Sequence, residues 1–315
     1  MNLLIEVPPL LAKLPPPAPG WTRYLVEHET RYRYSAPVAQ SWQLARLTPR
    51  SLPWQQLLTY SLSIDPPPDE QHESTDSFGN AITHFSLHGA HRKLRVRMHC
   101  TVDVGERVEP DASAGQPWES VRDAVLDHPG LDDLRPARLC EPTALVPLSE
   151  AAVAYSRKAF VSGEDWLAAV IGLMHQIHAD FEFDPDATTV STSVDEVLEQ
   201  RRGVCQDFAH LMLACLRGHG LPARYVSGDL LTEPPPGSPR LMGADASHAW
   251  VAAYSPQHGW VEFDPTNDTL ADSRYITLAW GADFADVCPV RGVILGSGDQ
   301  ALSVGVSVVP VDELG

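Results

Sequence analysis

A cysteine, a histidine and an aspartate stand in three short blocks in that order: Cys205 in GVCQDFAHLM, His248 in DASHAWVAAY and Asp264 in GWVEFDPTND. These residue types suit nucleophilic acyl transfer. A thiolate attacks a carbonyl carbon, an imidazole moves the proton, and a carboxylate fixes the imidazole's tautomer and stabilises its charged form.

Cys205 follows Gly203 and Val204 at the start of a predicted helix, because Phe208, Leu211, Met212, Cys215 and Leu216 repeat with the period of a core-facing stripe. Gly218, Gly220 and Pro222 supply the stop. The unpaired N–H groups of a helix start favour a thiolate and can serve a developing oxyanion. A lone cysteine there is more often a small buried residue, and Cys215, on the stripe, reads as core.

Around Cys205 four further residues are candidates for the cleft: Gly203, which would let a substrate carbonyl approach the backbone; Gln206, as an oxyanion donor; Trp250, as a channel wall; and Asp245, at the rim. Asp207 favours the helix end but opposes thiol ionisation. His210 reads as structural, and Asn267 and Asp268 as turn residues. His175 and His178, three apart on a predicted helix, could suit a metal, but no third ligand stands near them in sequence.

His248 and Asp264 must be brought together by a hairpin. SHAWVAAY and GWVEFDP are strand-like and joined by Ser-Pro-Gln-His, which puts His248 and Asp264 within one or two residues of direct opposition. Both fall on one face, within the reach of cross-strand neighbours. An ordinary cross-strand polar pair is the competing reading.

Further out, residues 21–105 carry short alternating strands, and Phe78-Gly79-Asn80 marks a tight turn among them. We expect a small antiparallel β-sandwich there, after an extended Pro-rich tail over 1–20. A Pro-, Asp- and Gly-rich linker over 106–147 then leads to an α+β unit over 148–315, with helices first and strands after. Ser149 is its first expected N-cap.

The formal charge of −18 repels phosphate backbones and anionic headgroups, which argues against nucleic acid and membrane surfaces as partners. Five scattered cysteines without a C-x-x-C pair argue against a disulfide framework. No apolar run is long enough to span a bilayer, and the start lacks a secretory n-region, so a cytoplasmic location is expected.

The three blocks resemble those in which the bacterial transglutaminase-like superfamily carries its Cys, His and Asp, and residues 24–104 look like its N-terminal β-rich domain. The resemblance implies a papain-like core, with a helix bearing the cysteine on an antiparallel sheet. It also implies a catalytic Cys205–His248–Asp264 triad that forms a thioester on a peptide or protein substrate carrying an amide. Water as acceptor gives proteolysis or deamidation, which is the expected reaction; an amine gives glutamine crosslinking. A non-enzymatic binding module retaining the fold is the third reading. Arylamine acetyltransferases share the residue order, but the β-rich region argues against them. No calcium loop of the D-x-D-x-D-G type occurs, and no cofactor or metal is expected.

Overall fold

Aromatic and β-branched residues dominate 21–45, and in the computed structural model this stretch is one long strand, β1 (Trp21–Ala45). The structure describes residues 14–126, 135–232 and 245–314; most of the expected tail lies outside them. β2 (Gln55–Asp65), β3 (Glu70–Thr75), β4 (Ala81–Leu87) and β5 (His91–Gly105) complete the N-terminal strands. Gly79 adopts φ +78° in the expected turn, where Asp76 Oδ1 accepts from the N–H groups of Phe78 and Asn80.

The register of β1 shifts between Arg33 and Val38. Its first part lies against β5, its second against β4. Val96, Met98, Val102 and Val104 of β5 fill the core beneath.

Residues 106–147, expected as a linker, do more than connect. They contain α1 (Trp118–Leu126) and α2 (Arg135–Arg138), and Trp118, Val121 and Val146 enter the second core. α3 (Glu150–Ser156) is capped by Ser149, whose hydroxyl accepts from Ala152 N–H. α4 (Trp166–Asp180), β6 (Glu182–Phe183), α5 (Val194–Gln200) and β7 (Arg202–Gly203) lead into α6 (Cys205–Gly218), which is buried along most of its length. Leu211, Met212, Ala214 and Cys215 pack there with Val251, Ala253 and Phe263 of the second sheet.

That sheet has the order β11-β10-β9-β8-β12, with β8 (Ala223–Leu230), β9 (Ala246–Ser255), β10 (Gly259–Asp264), β11 (Thr269–Leu270) and β12 (Tyr275–Gly281). All of its pairings are antiparallel. The result is the expected α+β class, with a helix on an antiparallel sheet and a β-rich region before it.

After α7 (Phe284–Val287) the chain departs from the expected partition. β13 (Val290–Gly296) and β14 (Gln300–Pro310) are not late strands of the second sheet. Both pair with β1, β13 beside its second part and β14 beside its first, from Tyr24↔Pro310 to Tyr34↔Gln300. Alternation marks a strand but carries no address for its partner.

The two sheets are joined by polar contacts. β12 is the outer strand of the second sheet, and side-chain amides of the first region occupy its free edge. Gln55 donates to Thr277 O and accepts from Thr277 N–H, both at 2.8 Å. Asn80 donates to Trp280 O at 2.8 Å and accepts from Trp280 N–H at 3.0 Å. Each amide reproduces the donor and acceptor pair of a neighbouring strand.

Deeper in, His28 Nδ1 on β1 lies 2.9 Å from Asp229 Oδ1 on β8, both fully buried. Removing one member of a buried pair strands the other polar group without water. Asp229→Ala is expected to lower unfolding free energy by about 3–5 kcal/mol, read from the midpoint of a urea titration at constant slope. A loss under about 1 kcal/mol would show that the pair contributes no more than a surface contact.

Candidate active site

Val204, at the N-cap of α6, has an apolar side chain and offers the helix no oxygen. The capping contact comes from inside the helix. Asp207 folds back so that its carboxylate accepts from Val204 N–H at 2.8 Å and from the Thr188 hydroxyl at 2.6 Å. Burial pushes the Asp207 carboxyl up, against the opposing pull of those two bonds. Asp207 N–H bonds Val204 O at 2.9 Å, and helix geometry gives the N–H groups of Cys205 and Gln206 before it no i−4 partner; Cys205 stands there half-buried.

Gly203 serves this cap. A Cβ at 203 would lie 2.7 Å from Asp207 Oδ2, so glycine makes room for the folded carboxylate. Gln206 donates its side-chain amide to Val190 O at 3.3 Å, so that group holds the 184–192 segment over the helix start.

β9 and β10 pair as Tyr254↔Trp260 and Val251↔Phe263, which sets Asp264 opposite Trp250 and one diagonal step from His248. His248 Nε2 lies 2.7 Å from Asp264 Oδ2, with both side chains buried. Desolvation depresses the imidazolium, but the bond and charge of Asp264 and the neighbouring Cys205 outweigh it, and His248 is raised to about 10. Nε2 being committed to Asp264, Nδ1 is the ring atom left for Cys205.

Asp264 is correspondingly held low. Burial opposes its ionisation, and the bond and charge of His248, the Tyr275 hydroxyl and the Asn267 amide reverse that effect. Tyr275 and Asn267 each donate to Oδ2 at 2.7 Å. Oδ1 accepts from Thr266 and Asn267 N–H at 2.9 and 3.2 Å. Asn267 therefore does more than make a turn. Asp-x-x-Asn is a turn signal from which this contact could have been suspected; Tyr275 gave no comparable signal.

Two other candidates lie elsewhere. Trp250 is 0% exposed, with its ring 6.1 Å from that of His248 and Nε1 donating to Glu262 Oε2 at 2.9 Å. It supports the histidine from within the core and walls no open channel. Asp245 accepts from Thr232 and, through Oδ2, from Val308 N–H at 2.8 Å, so it ties the start of β9 to β14 and is not a cleft rim.

His175 and His178 of α4 do not face each other across a metal site. His175 bonds Asp268, and His178 Nδ1 lies 2.9 Å from Thr266 O, so both brace the turn that follows Asp264. His210 is buried and lowered to about 4 by desolvation, and accepts from Phe284 N–H at 3.3 Å. Burial pushes the thiols of Cys100, Cys140, Cys215 and Cys288 up, to about 11 for Cys140 and about 12 for Cys215. None of these four is a ready thiolate near neutrality. Among the described residues no helix is long and apolar enough to cross a membrane.

Residues 24–103 match the model of the bacterial transglutaminase-like N-terminal region, and residues 154–265 that of the transglutaminase-like superfamily. Uncharacterized proteins of Mycobacterium tuberculosis and Mycobacterium bovis are 40% identical over 310 residues, 94% of this chain and 95% of theirs. A stretch of 111 residues, 35% of this chain, is 32% identical to 17% of a protein-glutamine gamma-glutamyltransferase of Pseudomonas aeruginosa. Among solved structures, a candidate cysteine protease from Cytophaga hutchinsonii has the same fold, with a TM-score of 0.72 at 20% identity over 93% of this chain and 91% of that one.

Proposed function

The chain belongs to the bacterial transglutaminase-like superfamily, and from that premise we propose that it is a cysteine-dependent acyl-transfer enzyme acting on peptide or isopeptide amides, with water as acceptor. The observation that carries the reading is the buried His248, bound to Asp264 at 2.7 Å through Nε2, with Cys205 at the start of α6 among the groups that raise it.

In this mechanism His248 holds the proton of Cys205, and the thiolate attacks the amide carbonyl carbon. The S–C bond forms as the carbonyl electron pair moves to oxygen, where the free N–H groups at the start of α6 receive it. Collapse breaks the C–N bond, and the His248 imidazolium protonates the departing amine. Water then attacks the thioester while His248 takes its proton, releasing a carboxylic acid and restoring the thiolate–imidazolium pair. Asp264 stays ionised throughout and keeps the ring in one orientation.

The partial likeness to a glutamyltransferase favours one alternative, an amine in place of water. Incubation of the protein with a denatured protein substrate and a glutamine peptide, with and without a primary amine, separates the two by the masses of the products. Cleaved or deamidated products that vanish in Cys205→Ser are the expected result. An amine adduct that persists in the presence of water moves the assignment to transfer, and no Cys205-dependent product in either arm removes both readings and leaves a binding module.

A further inference from the structure

Asp264 Oδ2 accepts three donors at the same distance of 2.7 Å, and they come from three places: His248 on β9, Asn267 on the following turn and Tyr275 on β12. β12 is not a neighbour of β10. β9 and β8 stand between them in the sheet, so the Tyr275 side chain crosses the sheet face to reach the carboxylate. Its ring lies 6.1 Å from that of His248 and 5.3 Å from that of Trp250, in edge contact with the latter. The ring is buried and its position is over-determined.

The strand that carries Tyr275 is fixed from the other side. Arg107, just after β5, donates to Tyr275 O at 3.2 Å and to Asp272 O, and pairs with Glu262, the residue that accepts from Trp250. Gln55 and Asn80 hold the same strand at Thr277 and Trp280. The N-terminal β region thus sets where the Tyr275 hydroxyl stands.

We propose that Tyr275 is a positioning residue of the site: its hydroxyl takes part of the negative charge on Asp264 Oδ2 and so sets how strongly that oxygen holds the proton on His248. This rests on the function proposed above. A phenol with a buried hydroxyl remains protonated at working pH, since burial and the adjacent carboxylate both push Tyr275 up. It therefore acts as a donor only. Fewer donors on Oδ2 leave the carboxylate more basic and the imidazolium more tightly held. The other groups in reach are Cys205 on α6, Asn267 and, through its charge, Asp272.

The test is an NMR titration of the His248 ring in full-length wild type, in Tyr275→Phe and in protein carrying 3-fluorotyrosine at 275, which keeps the volume and strengthens the donor. The midpoint is expected to rise by about 0.5–1 unit in Tyr275→Phe and to fall by a similar amount with fluorotyrosine. Midpoints within about 0.2 units of wild type in both folded proteins would overturn the proposal. If Tyr275→Phe fails to fold, the fluorotyrosine arm decides alone. Iodoacetamide labelling of wild-type Cys205 at pH 6 is run alongside. Slow labelling there sinks the enzymatic reading itself, whereas fast labelling with an unmoved His248 midpoint sinks only the role of Tyr275.

Discussion

At pH 6, His248→Ala is expected to slow iodoacetamide labelling of Cys205 by about 10-fold or more. An ordinary thiol with a pKa of about 8.5 is only about 0.3% ionised at that pH. A thiol paired with an imidazolium would be ionised almost throughout, a gain of up to about 300-fold over that ordinary thiol. A weaker-basicity thiolate is also a weaker nucleophile, which takes back about an order of magnitude. The pH profile carries the same information. Wild type should be nearly flat from pH 6 to 8, because His248, raised to about 10, stays charged across that range. The alanine variant should climb about tenfold per pH unit. The four other thiols, pushed up by burial, leave the signal at Cys205 readable by mass spectrometry. Equal, slow profiles in both proteins would mean that no thiolate–imidazolium pair forms.

Asp264→Asn should move His248 further than any other single change. Desolvation is the largest influence on that ring and acts to lower it; Asp264 supplies both the leading bond and the leading charge that reverse it. With the carboxylate gone, the His248 midpoint is expected to fall from about 10 to below 6.5, its ordinary value. The consequence for stability has a definite sign. A histidine raised in the folded state contributes stability fully below its unfolded value of 6.5, and that contribution is lost as pH rises through about 10. Melting curves of wild type and Asp264→Asn should differ most near pH 6 and converge above pH 10. A constant gap at all pH values would assign the effect to packing and not to the ion pair.

The local part of the site was legible because its signals are local. The stripe from Phe208 to Leu216 places Cys205 at a helix start, and the short loop between Tyr254 and Gly259 fixes a register in which His248 and Asp264 are diagonal neighbours. What escaped depends on distant partners. Tyr275 meets Asp264 across two intervening strands, a contact no spacing rule encodes. Trp250 shares a face with His248, as alternation requires, but only packing decides whether that face is a cleft or a core. Asp245 looks like any loop acid until β14 arrives beside it. Gly203 reads as freedom for a ligand, whereas the space is filled by Asp207.

The pairing of Tyr24 with Pro310 has a consequence for how the protein is made. A ribosome delivers β1 first and its partner β14 only after the thiol helix and the His–Asp hairpin have emerged, so one flank of β1 waits through nearly the whole synthesis. Closing so long a loop is slow, and until it closes Asp245 has no Val308 N–H to grip. A chain interrupted before β14 would therefore contain every reacting group and still lack the Asp245–Val308 brace at the foot of the histidine strand.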